Sequence, residues 1–177
     1  MKRADRLRKE AELTMEKVRA LTRHIRNVED NCLILGEKLI ARGEIDLGRQ
    51  LIANGYVHDS SKFYGIEFEN LAYSSSVNTK EEGAKLKMKI AIQHHCLTNA
   101  HHPEHWQGIK NMPRVALGEM VADWKSRSEE FGTSLRDWID EYALKRWEFT
   151  KESEVYKVIM DFVDLLCPIP FEQIVQS

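Results

Sequence analysis

Apolar residues recur along most of this chain at three- and four-residue steps, the pattern of helices that each bury one stripe. The clearest run is Leu21, Ile25, Val28, Cys32, Leu35 and Leu39, with His24 at its edge one turn before Val28. ARGE at 41–44 breaks that run, and Ile45 to Ala53 predicts a second helix closed by Asn54-Gly55 as a C-cap. YVHDSSKFYGIEF (56–68) reads as a junction of short helical pieces, and AYSSSVNTK (72–80) as a loop. Lys80 to Cys96 predicts a helix. LTNAHHPEHWQGIKNMP (97–113) is irregular, interrupted by Asn99, Pro103, Gly108 and Pro113.

A further helix starts at Pro113 and is stopped by Gly132, the proline standing near its first turn. Ser134 caps a helix over Leu135–Lys145, with Asp137 in its acidic first turn. Thr150 is the expected cap of the last helix, which carries Val155, Val158, Ile159, Phe162, Val163 and Leu166. Pro168 and Pro170 end it, and the short apolar tail beyond is expected to dock on the body. No stretch alternates as a strand would, and no repeat or linker divides the chain. The expected fold is all-α, one compact domain over 1–177 of about six to eight helices. Its site-bearing core covers about 20–130, and helices in 134–167 pack on that core.

Composition narrows the class. The 177 residues suit one domain with a real core, and 42% hydrophobic with 31% charged residues is ordinary for a globular protein. A net charge of -2 gives no drive to wrap nucleic acid, so no stable nucleic-acid binding is expected. Lys2, Arg3, Arg6, Arg8 and Lys9 alternate with Asp5, Glu10 and Glu12 and read as a solvated helix face. No run approaches the roughly 20 apolar residues of a membrane span, and MKRADRLRKEAEL lacks the apolar core of a signal peptide. Cys32, Cys96 and Cys167 are widely spaced and form no CxxC pair. These features predict a reduced, cytoplasmic chain with no membrane partner.

The unusual feature is where the histidines fall. His24 stands alone, and the other six lie between residues 58 and 105. Neutral imidazole is the commonest nitrogen ligand for metals, and carboxylates supply the anionic oxygens. A His-Asp dipeptide at a helix junction can turn both side chains to one ion. His24, His58, Asp59 and Asp123 are therefore candidate ligands on separate elements. Asp123 sits among Leu117, Met120, Val121 and Trp124, where a bare carboxylate is costly unless paired or metal-bound. Plainer readings stand beside these: Asp59 capping Phe63 or Tyr64, and Asp123 pairing with Arg127 one turn later.

His94 and His95 are about 100° apart on a helix, so one of them faces a given site, and His95 is preferred for its spacing to Asn99 and His101-His102. One of His101 and His102 is expected to ligate metal, and the other to ligate or touch substrate. His105 is the weakest candidate, because HHPEH is not HExxH and Pro103 would interrupt the required turn. Glu67, Glu69 and Glu104 are candidate proton-transfer or supporting groups. Lys125, Arg127 and Arg114 are candidate phosphate contacts, and Trp106 and Trp124 candidate walls.

The order His24 … His58-Asp59 … Asp123 resembles the H…HD…D signature of the HD-domain superfamily of metal-dependent phosphohydrolases, over about residues 20 to 130. HDSSK (58–62) resembles the HDxxK form seen in the HD-GYP branch that cleaves cyclic dinucleotides, although the GYP motif itself is absent. The chain also looks close to a small phage and bacterial branch with the pattern HDxSKF … HHxxxNxHHPEHW … EMVxDW. The resemblance implies metal ligands His24, His58, Asp59, His95, His101, His102 and Asp123, for one or two divalent ions among Mn, Fe, Co, Ni and Zn. It implies Asp59, Lys62 and His102 as catalytic groups, and Lys62, Glu104 and Arg127 as substrate contacts. The implied partner is a small phosphorylated molecule, nucleotide-like, with self-association left open. Two alternatives remain at this point: an HD-type di-iron oxygenase, which uses the same ligand count, and a non-catalytic module stapled by its metals.

Overall fold

The computed structural model describes residues 3–71 and 83–168. The expected loop at 72–80, the start of the Lys80 helix and the apolar tail after Pro168 lie wholly or largely outside those residues. Helix α1 runs from Arg3 to Ala41, and its buried face is the predicted stripe: Leu21, Val28, Cys32, Leu35 and Leu39 are enclosed and Ile25 is half-buried. The chain turns at Gly43, whose φ of 89° suits glycine, and α2 (Ile45–Val57) returns along α1.

The two helices approach closely because their contact is made of small residues. A Cβ on Gly48 would stand 2.5 Å from the Gly36 carbonyl oxygen, and one on Gly55 would stand 2.6 Å from Cys32 Cβ. This corrects the expected cap. Asn54-Gly55 does not end α2; Gly55 lets it press on α1, and the helix continues to Val57.

After α2 come a 3-10 turn (Ser60–Phe63), α3 (Gly65–Asn70) and α4 (Ala84–Thr98). Two more 3-10 turns, Pro103–Trp106 and Ile109–Asn111, carry the irregular segment to α5 (Arg114–Phe131). Gly132 closes α5 with φ 64°, as its position predicts. Ser134 caps α6 (Leu135–Trp138) by accepting from the Asp137 amide, after which a π turn (Ile139–Ala143) leads into α7 (Leu144–Arg146). The last helix, α8 (Glu154–Leu166), is capped by Ser153 and not by Thr150: the Ser153 hydroxyl accepts from the Tyr156 amide, while Thr150 supplies a carbonyl to the turn before it.

The fold is all-α: among the described residues there is no strand, and no helix is long and apolar enough to cross a membrane. The core lies where α1, α2, α5 and α8 meet, around Leu35, Leu51, Met120, Val121, Ile159 and Phe162. Burying a side chain of that size contributes roughly 1.5–3 kcal/mol. The consequence for the site is rigidity. α5 is enclosed by α1, α2 and α8, so the polar residues it carries among its apolar ones are held at fixed depth.

Candidate metal centre

Four elements and one irregular segment bring the predicted residues together. His24 comes from the middle of α1 and Asp123 from α5. His58 closes α2, and Asp59 follows it in the left-handed region at φ 55°, a conformation that aspartate tolerates better than most side chains. That turn sends the carboxylate inward instead of capping the next helix, which overturns the capping alternative; the Asp59 side chain makes no cap hydrogen bond. His95 comes from α4, and His101-His102 from the segment before the 3-10 turn at Pro103. Asn99 ties that segment down, its amide donating to the His95 carbonyl at 2.9 Å and the Ser61 hydroxyl at 3.0 Å.

Asp59 stands at the centre and is 1% exposed. Its Oδ1 lies 3.3 Å from His95 Nε2 and 3.5 Å from His101 Nε2. Its Oδ2 lies 3.5 Å from His58 Nε2 and 3.7 Å from His24 Nε2, and accepts from the Lys62 ammonium. His24 Nε2 also approaches Asp123 Oδ1 at 3.1 Å, and His102 Nε2 approaches His95 Nε2 at 2.9 Å. Three overlapping groups follow, each with ligand atoms within 4.8 Å of one another: His24-His58-Asp59, His58-His101-Asp123 and His95-His101-His102. A further set, Cys96-His102-Glu104, meets the same distance and shares only His102 with the other three.

Behind the ring nitrogens stand carboxylates. His24 Nδ1 faces Glu130 at 2.9 Å, and His95 Nδ1 faces Glu67 at 2.8 Å. Glu119 serves two rings at once, lying 3.0 Å from His58 Nδ1 and 3.2 Å from His101 Nδ1 through the same oxygen. An ionised carboxylate only accepts, so each of these Nδ1 atoms carries the hydrogen, and Nε2 is the nitrogen left facing inward. Carboxylates behind histidines in this way fix the tautomer and orientation that metal ligands need.

The donor set fits a cation. Nε2 of His24, His58 and His101, with Oδ1 of Asp59 and Asp123, are buried without hydrogen-bond partners. The 3.1 Å approach of His24 to Asp123 is thus a close contact without an aligned bond. Buried polar atoms are otherwise paired, and five orphaned nitrogen and oxygen atoms this close together are donors that a positive ion would satisfy. The electrostatics agree. Burial by itself would raise the Glu119 carboxyl, yet hydrogen bonds from His101 and His58 hold it at about 2. Burial opposes ionisation of Asp59 too, but His58, Lys62 and His101 keep it ionised well below the usual carboxylate range. Burial and the Lys62 ammonium lower His95 to about 4, and burial with His101 and His95 alongside lowers His102 to about 2, so both rings are neutral near pH 7.

The remaining candidates fall outside this cluster or at its edge. His94 turns away, half exposed, and contacts the other Glu67 oxygen at 2.7 Å. His105 is exposed and bonds the Leu97 carbonyl. Arg127 pairs with Glu130 at 2.8 Å and not with Asp123, so the surface-bridge alternative for Asp123 is overturned. Arg114 engages Glu44, and Lys125 engages Glu129, away from the cluster. Glu104 is exposed, 3.5 Å from the Trp147 indole nitrogen. Trp106 donates to the Ala100 carbonyl and steadies the histidine-bearing segment, whereas Trp124 lines a cavity at Asp123.

Glu119 and Glu130 were not singled out by the sequence. Their one signal is helical: they stand four residues before and seven after Asp123, on the same face of α5.

No curated protein and no solved structure matches the chain. One family model does, described as "Family of unknown function (DUF5662)" and matching residues 14–165. That span takes in every residue of the cluster, and the chain belongs to this family.

Proposed function

We propose that this protein is a metal-dependent phosphohydrolase of the HD type, acting on a small phosphate ester. The observation that carries the reading is the set of five buried, unpartnered ligand atoms, contributed by α1, the α2 junction, the 101–102 segment and α5. His24, His58, Asp59 and Asp123 would hold one ion, and Asp59, His95, His101 and His102 a second. A divalent ion there supplies an acidified water and neutralises charge on the phosphoryl group. Mixed nitrogen and oxygen donors suit Mn, Fe, Co, Ni or Zn alike.

The chain's own groups do the rest. Asp59 is shared between both sets and, ionised and enclosed, orients whatever donates to it. Lys62 brings a buried ammonium to Asp59 and supplies positive charge beside the phosphoryl oxygens. His102, neutral and partly open, lines the cavity side, where it can touch the substrate. Asp123 also keeps 16% of its side chain open, which favours a working site over a closed structural one.

The test is elemental analysis of protein purified without chelator or affinity metal, with Asp59→Asn alongside, followed by a phosphatase screen. One or two ions per chain, lost in the variant, with metal-dependent phosphate release, is the expected result. Oxygen uptake with a mixed-valent EPR signal would instead identify the di-iron oxygenase. Bound metal with no turnover would leave a metal-stapled module, and absence of metal binding would sink the reading.

A further inference from the structure

Beside the histidine and aspartate cluster lies a grouping of a different chemical kind, because it contains sulfur. Cys96, His102 and Glu104 each bring one ligand atom to within 4.8 Å of the others. Ligands on a tetrahedral zinc, at bonds of about 2.0–2.3 Å, stand roughly 3.3–3.8 Å apart, so a shift of about 1 Å or less per side chain closes the set on one ion. All three come from one short stretch of chain. Cys96 is in the last turn of α4 and is buried. His102 precedes the 3-10 turn at Pro103–Trp106 and is half-buried, and Glu104, inside that turn, is exposed.

The backbone that carries them is already ordered. The Asn99 amide donates to the His95 carbonyl at 3.1 Å, and the His102 amide to the Asn99 carbonyl at 3.1 Å. His105 Nδ1 donates to the Leu97 carbonyl at 2.8 Å, and the Trp106 indole to the Ala100 carbonyl at 2.7 Å. A tied loop loses little further chain entropy when an ion arrives. Glu104 itself stands 3.5 Å from the indole nitrogen of Trp147, which with Trp124 and Trp138 lines the cavity beside Asp123. Depth falls off across the set, from the buried sulfur to the exposed carboxylate, so an ion enters from the Glu104 side and keeps a position for water.

We propose that Cys96, His102 and Glu104 form a peripheral site for a zinc-class ion, and that filling it draws His102 away from the centre. Thiolate with imidazole and carboxylate favours thiophilic ions over Mn or Mg, which prefer oxygen. The ion takes the place of the thiol proton, which leaves to solvent. His102 belongs to this set and to the His95-His101-His102 set, where its Nε2 stands 2.9 Å from His95 Nε2. A neutral imidazole has one lone pair to give, so it serves one set at a time. Zinc at the periphery therefore acts against the centre's second ion. The site is read from its own three residues, whereas the competition rests on the two-ion centre proposed above.

The test uses the full chain stripped of metal, with Cd2+ as the probe and the near-ultraviolet thiolate-to-metal charge-transfer band as the readout. One equivalent of the band per chain is expected, in wild type and in Asp59→Asn alike. Cys96→Ser should abolish it and Cys167→Ser should keep it, with melting curves verifying the fold. Glu104→Gln, at an exposed position, should weaken the band's affinity by about tenfold or more. Saturating Mn2+ should raise the apparent Kd for the band in wild type and leave it unchanged in Asp59→Asn, because coupling between two sites is reciprocal. Absence of the band, or its persistence in Cys96→Ser, overturns the site. A Cys96-dependent band indifferent to Mn2+ overturns the competition. Mn2+ bound without any band keeps the metal centre and loses this proposal, and a Cys96-dependent band in a chain that binds no Mn2+, Fe2+ or Zn2+ through Asp59 does the reverse.

Discussion

Glu119 accepts three hydrogen bonds in the interior, from His58 and His101 through one oxygen and from the Asn54 amide at 3.0 Å through the other. Glu119→Gln removes its charge while keeping its shape. The glutamine oxygen can still face both rings, and Asn54 can turn its own amide to accept from the new NH2, so the fold is spared. What is lost is the charge assistance. A hydrogen bond to an ionised group contributes about 1.5–3 kcal/mol and a neutral one about 0.5–1.5, so each histidine loses about 1 kcal/mol of orientation. Two histidines give about 2 kcal/mol, or roughly a 30-fold loss of metal affinity, inside the 10–100-fold range typical of groups that support ligands. Because the proposed two-ion arrangement puts His58 on one ion and His101 on the other, both ions should weaken together. The assay is competition against a chelator of known affinity, with the exposed Glu141→Gln as control and thermal unfolding of the metal-free forms to verify the fold. Wild-type affinity and stoichiometry in Glu119→Gln would refute the idea that this carboxylate orients ligands.

Stripping metal from loaded protein should lower its melting temperature: with free ion about a hundredfold above Kd the ion adds about 2.7 kcal/mol, which for a chain of this size is roughly 5–11 °C. Scanning calorimetry with and without chelator measures it, and an unchanged curve would mean that no ion binds the folded state preferentially. Gly48→Ala forces a Cβ to within 2.5 Å of the Gly36 carbonyl, so α2 must move off α1; a loss of about 1–3 kcal/mol should appear in urea unfolding. Arg42 grips Asp161 with two bonds of 2.7 Å, and its hydrogen bonds hold that carboxyl below its ordinary value. A carboxyl depressed in the fold stabilises above its unfolded pKa of about 4 and loses that contribution as pH falls through the folded value. Asp161→Asn should therefore flatten the acid limb of a melting-temperature profile, and, the pair being solvent-exposed, cost less than about 1 kcal/mol at pH 7.

Much of the fold was legible because burial on α1 follows a single stripe. Leu21 to Leu39 repeat at helical spacing, and His24 interrupts that stripe where the site needs a ligand. His58-Asp59 was legible as a dipeptide at a junction, but not the left-handed turn that aims Asp59 inward, since aspartate there also suits an ordinary cap. Glu119 and Glu130 were hidden because a glutamate on a helix reads as solvated until another helix closes over it. The end of α2 was misplaced for a related reason: Gly55 is a stop signal locally and a contact surface tertiarily, and the approach to Cys32 decides between them. Of the cavity beside Asp123, only Trp124 was legible, from its place next to that ligand. An α-helical spacing places Trp138 and Trp147 on opposite faces, and the π turn that reunites them follows no residue pattern.

Helix α1 carries a gradient along its own axis. Ahead of Lys17, which rests over the Phe68 ring, its side chains are mostly in solvent, with Leu7 61% and Met15 50% exposed; from Leu21 onward one face is enclosed. An isolated helical segment of that length is marginal in water, because too few residues share the cost of nucleation. Amide protons near the N-terminus should therefore exchange by local fraying, while those around Leu35 exchange only when the whole domain opens. His24 lies just past the boundary, so the first ligand stands where the helix stops depending on itself and starts depending on its neighbours.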